Sequence, residues 1–242
     1  MRKLILSLLV TLLLASPVVA DDYYISDQGG THVGSCADNT IYSASAFNAY
    51  NLNYGGSATI SVGSPAIGGA GRVITRFDLS MIEDDAEPIA AEIVLVATVI
   101  TGGGDTVSLY QIAAANNGWV EGTADGVTQA GSSCWNDYAY QNVTEWAGSA
   151  GLSTATTDYI NTKLATDQAI STTGTKTFAL NTSGLAAVKA RLASDNIEFL
   201  FNNLTTTTGN FITFASSENG TAGNRPYLHI TTAGAPALII RR

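Results

Sequence analysis

The stretch Arg72-Val73-Ile74-Thr75-Arg76-Phe77-Asp78-Leu79 alternates along its length. Val73, Thr75 and Phe77 fall on one side of an extended chain, and Arg72, Ile74 and Arg76 on the other. A helix would scatter these residues around its circumference, so the segment reads as a strand with two different faces. The same reading extends outward to Thr40–Ala46, Ala58–Gly63, Glu92–Val99, Thr106–Ile112, Lys176–Leu180, Ile197–Asn202, Phe211–Ala215 and Tyr227–Thr231, each bounded by Gly, Asn, Asp or Pro. Glu92–Val99 is nearly continuous apolar, as expected of a strand buried on both sides. About nine strands with turn signals between them predict an all-β fold, a jelly-roll-type β-sandwich with one inserted helix and a long loop region.

The helix is expected after Asn181-Thr182-Ser183-Gly184, where Leu185, Val188 and Leu192 recur at helical spacing and Lys189 and Arg191 suit the dipole at its end. A weaker helix is expected at Asp158–Ala165. Residues 113–175 otherwise show little strand pattern, and loops of that length usually carry function or structure of their own.

Composition narrows the classes. The 242 residues include 20 Asp and Glu against 11 Lys and Arg, giving a formal charge of −9. An acidic chain argues against a nucleic-acid partner. At 45% hydrophobic it is too apolar for classical disorder. The N-terminus has Arg2 and Lys3, an apolar run from Leu4 to Leu14, and small residues up to Ala20, the pattern of a signal peptide. Residues 1–20 are therefore expected to be removed on export, leaving one domain over 21–234, a short tail over 235–242 and no transmembrane segment. The tail is either frayed or an apolar strand that docks on the sheet or on a partner. The expected location is secreted or cell-surface. Two cysteines, Cys36 and Cys134, suggest one disulfide in that compartment, the alternative being two buried free thiols. The disulfide would close a loop of nearly a hundred residues and stabilise by about 4 to 5 kcal/mol.

Several stretches, in order, resemble the DNRLRE domain family, also called disaggregatase-related repeats. They are Asn53-Tyr54-Gly55-Gly56, Arg72–Ser80, Val107–Ile112, Trp119-Val120-Glu121, Phe214-Ala215-Ser216-Ser217-Glu218 and Arg225–Ile230. The resemblance implies an exported β-sandwich similar to carbohydrate-binding modules. One departure is plain: Gly122–Cys134 separates Trp119 and Glu121 from Trp135-Asn136, which lie close together in the family.

Candidate ligand-binding residues are Trp135, Tyr138, Tyr140 and Trp146, interleaved with Asn136, Asp137, Gln141 and Asn142. Sugars offer apolar C–H faces ringed by hydroxyls, which such a mixture suits. The alternative is that these rings pin the loop onto the sandwich. Arg72 and Arg76 are candidates for contacting a glycan through forked donors, or else for pairing with Glu92 or Glu198. Modules of the resembling class often hold a structural calcium ion; Asp21, Asp22, Asp27, Asp38 and Glu218 are candidate oxygens, with no ligand set assigned. No nucleophile elbow or zinc-protease motif is present, so an enzyme is not expected. The expected function is polysaccharide binding without catalysis. The alternatives are a structural subunit that self-associates or joins other surface proteins, and a polysaccharide-degrading enzyme.

Overall fold

The computed structural model describes residues 20–43, 49–64, 69–141, 144–203 and 208–234. The signal-peptide reading, the tail and Asn142 lie outside these residues. The strands are β1 (Asp21–Ile25), β2 (His32–Val33), β3 (Cys36–Tyr42), β4 (Thr59–Gly63), β5 (Gly71–Asp78), β6 (Glu87–Thr101), β7 (Asp105–Ile112), β8 (Asp137–Ala139), β9 (Thr144–Glu145), β10 (Tyr159–Ile160), β11 (Gln168–Ile170), β12 (Gly174–Ala179), β13 (Asn196–Asn203), β14 (Phe211–Ala215) and β15 (Tyr227–Ala233). The single α-helix among the described residues, α1, spans Thr182–Arg191.

The strands form two layers. The first runs β3-β5-β13-β7, with β10 and β11 on the outer edge of β7. The second is built around the long β6, which pairs with β12 on one side and with β15 and then β14 on the other, extended by β1 and β4. Among the described residues, only the Gly63–Gly71 pair links the layers as one continuous sheet. The alternation read in β5 is realised: Val73 and Phe77 join the core between the layers, together with Ile93, Leu95, Phe178, Phe199, Phe201, Phe214 and Ile230.

The opposite face of the first layer is also covered. Ile41, Ile74, Tyr110, Ile112 and Leu200 meet Trp119, Trp135, Trp146 and Leu152 in a second core. The loop-like segment 113–160 is thus a lobe packed on the outside of the sandwich. This explains why β5 and β13 are buried on both sides, with Ile74 and Leu200 fully covered.

Each of the nine expected strands overlaps an observed one, and β1 and the short strands add to them; the strand expected at Thr40–Ala46 begins earlier and ends at Tyr42, with residues 44–46 outside the described residues. Helix α1 begins where expected: the Asn181 side chain accepts a hydrogen bond from the Gly184 N–H at 3.0 Å. Gly184 is needed for packing as well, since a Cβ there would lie 2.6 Å from the Leu164 carbonyl oxygen. The chain then turns at Asp195, whose φ of 58° is left-handed. The weaker helix expected at Asp158–Ala165 does not form. The Asp158 carboxylate instead accepts from the Gly148, Ser149 and Thr154 amides, and Tyr159 pairs with Ile112 as a strand.

The expected disulfide is absent. Cys36 and Cys134 are both free and buried. Cys36 points from β3 into the core between the layers, whereas Cys134 lies in the lobe on the far side of the same sheet. The sheet itself keeps the thiols apart. Burial pushes the Cys134 thiol up to about 11. No helix among the described residues is long and apolar enough to cross a membrane.

Candidate functional site

The structure brings the predicted residues together, but as the seam between lobe and sheet. Trp135 is 8% exposed and Trp146 is 3% exposed. The Trp146 indole donates to the carbonyls of Cys134 and Trp135, each at 3.0 Å. Tyr138 is half-buried against Trp146 at 6.0 Å, and Tyr140 is half-buried with its backbone paired to Gly131 and Ser132. Arg72 lies over the Trp135 ring at 5.1 Å and donates to the Gly151 carbonyl and the Ser153 hydroxyl. Arg76 lies over Trp119 at 4.6 Å, pairs with Glu198 at 3.3 Å, and donates to the carbonyls of Asn117 and Trp119. Arg191 reaches the other Glu198 oxygen at 3.3 Å. Both arginines of β5 thus point their guanidinium groups into the protein, Arg72 through one terminal nitrogen while its buried Nε has no partner.

A different aromatic group stands on the outward face of the second layer. Leu228 and Ile230 of β15, Ile25 of β1 and Ile93 of β6 point inward. Their neighbours Tyr227, His229, Tyr24 and Glu92 therefore point outward. Tyr24 and His229 sit opposite each other in the register and stack at 4.3 Å, with planes 3° apart. His32 lies edge-on to Tyr24 and to Tyr227, each at 5.5 Å. Carboxylates flank the stack: His229 Nε2 is 3.1 Å from Asp22 and its Nδ1 is 3.5 Å from Glu92. Hydrogen bonds from Thr231 and His229 hold the Asp22 carboxyl below its usual range. The rings are half-buried and reachable. Alternation in Tyr227–Thr231 carried the signal for this face; the missed strand β1 hid its other half.

A third group gathers at one corner of the sandwich. Asp38 points inward from β3, an edge strand. Its N–H donates to Glu121 Oε1, and its own Oδ2 accepts from the Ser217 N–H at 2.7 Å. The Ser217 hydroxyl donates to Glu218 Oε2 at 2.8 Å. One oxygen from each of Asp38, Glu121 and Glu218 lies within 4.8 Å of the others. Asp38 is fully buried and Glu218 opens to solvent. The sequence builds this corner with close contacts. Asn53 donates to the Glu121 carbonyl and accepts from the Gly55 and Ala124 amides. A Cβ at Gly55 would lie 2.2 Å from the Glu121 carbonyl oxygen. Burial, followed by the Glu218 and Glu121 charges, holds the Asp38 carboxyl well above the usual range, and burial pushes Glu121 up to about 8. Asp38 and Glu218 were among the candidate oxygens; Glu121 was legible only as part of Trp119-Val120-Glu121. Of the others, Asp21 is exposed at the start of β1 and Asp22 faces His229. Asp27 accepts from the Cys36 N–H at 3.1 Å.

No protein-family model matches the chain, and no curated protein matches it.

Proposed function

We propose that the chain is an exported, non-catalytic β-sandwich that binds polysaccharide, in line with its resemblance to the DNRLRE and carbohydrate-binding modules. The observation that supports this is the open aromatic face around the Tyr24–His229 stack. A sugar ring stacks its C–H face on such rings, and its hydroxyls donate to carboxylates at the rim, here Asp22 and Glu92. The face is carried by the paired strands β1, β15 and β6, and an extended sheet face suits a polymer better than a small molecule. The loop residues Trp135 and Trp146 do not serve this reading, because their rings are covered.

The test is affinity electrophoresis of the protein in gels containing neutral and acidic polysaccharides. Retardation by one glycan, lost in Tyr24→Ala and in Tyr227→Ala, is the expected result. Retardation unchanged in both variants would move the site elsewhere.

A second reading, a self-associating structural subunit, is favoured by the burial of Trp135 and Trp146. It predicts no retardation by any glycan, together with concentration-dependent assembly in sedimentation.

A further inference from the structure

We propose that Asp38, Glu121 and Glu218 form a calcium site that ties three distant segments together at the corner of the sandwich. The donors are three carboxylates, hard oxygens of the kind calcium prefers. Their mutual separation, within 4.8 Å, fits a coordination sphere whose metal–oxygen distance is about 2.3–2.6 Å. Asp38 supplies the independent observation. It is fully buried, and its Oδ1 has no hydrogen-bond partner.

A proton does not resolve that orphan. Protonation removes one charge but leaves the Glu121 and Glu218 carboxylates crowded beside it. A cation satisfies the oxygen and the charge together. Among the described residues no Lys, Arg or His pairs with any of the three. Arg225, the cation beside Asp27, donates to the Asp27 and Asn219 carbonyls instead. Asp27 adds a fourth negative charge close by, felt by both Glu121 and Glu218. The raised proton affinity of Asp38 and Glu121 has the same origin: negative charge concentrated in a dry corner.

The positions are fixed without the ion. Ser217 holds Asp38 by its amide and Glu218 by its hydroxyl, and Asn53 with Gly55 fixes the backbone at Glu121. Glu218, exposed, gives the ion a way in and leaves room for water to complete six to eight ligands.

The test is isothermal titration calorimetry and thermal denaturation of the chelator-treated protein with calcium chloride, with magnesium chloride in parallel. Wild type is expected to bind one calcium ion and to melt several degrees higher with it. Glu218→Gln, a substitution at an exposed position, is expected to weaken calcium binding at least tenfold without lowering the melting temperature in chelator. Asp38→Asn is expected to abolish binding and to melt no lower than wild type in chelator. Absence of calcium binding at millimolar concentration would overturn the proposal. So would binding undiminished in both variants, which would place the ion elsewhere on an acidic surface. Equal responses to magnesium and calcium would overturn the assignment to calcium.

Discussion

Asp38, buried, and Arg76, half-buried, are two ionisable groups with opposite solutions. Arg76 stacks on Trp119, faces Glu198 and satisfies two carbonyls. Arg76→Ala therefore removes lobe-to-sheet bonds while leaving Glu198 with Arg191; a loss of about 2 kcal/mol is expected in urea denaturation. Asp38 has no such partner, and its neighbours are acidic. An acid whose folded pKa exceeds its unfolded value holds its proton more tightly when folded. In chelator, the corner's contribution is therefore greatest below about 4.5 and is lost as pH rises toward about 8, the range bounded by the ordinary and raised values of Glu121. The groups concerned are Asp38, Glu121 and Glu218, with Asp27, Cys36 and Arg225 facing them. Melting temperatures at pH 5 and pH 8 check this: the fall between them should be present in chelator and reduced by saturating calcium. An unchanged fall in calcium would contradict it.

At the scale of elements, what was legible had a local cause. Strand β5 announced itself because each face carries its own chemistry, and both faces proved to be buried against different partners. Helix α1 was legible from its cap; Asn181→Ala should cost about 1 kcal/mol, read from the chevron or equilibrium midpoint. The apparent helix at Asp158–Ala165 failed because a single carboxylate found three backbone amides nearby. That competition depends on residues 148–154 folding back, which no spacing in the sequence records. The corner was half legible for the same reason. Acidic residues could be counted, but their convergence depends on Gly55 admitting the Glu121 backbone. Gly55→Ala should therefore cost about 2 kcal/mol or more by overpacking, and weaken calcium binding in the same titration, although residue 55 contributes no ligand. The disulfide reading failed at this scale too: two cysteines suggest a bond until a sheet is placed between them.

The described residues form a sandwich wearing a lobe on one face, with no such lobe on the other. That asymmetry separates two cores that share the β5 and β13 backbones but no side chains. It also separates two optical signals. The chain has three tryptophans, and Trp119, Trp135 and Trp146 all lie in the outer core. The inner core contains phenylalanine instead. Tryptophan emission from this protein is therefore a report on the lobe alone, while far-ultraviolet dichroism follows the sheets. Peeling the lobe away would shift emission to the red while the β signal persists, so the two probes, followed through one denaturant series, measure how tightly the coat is sewn to the cloth.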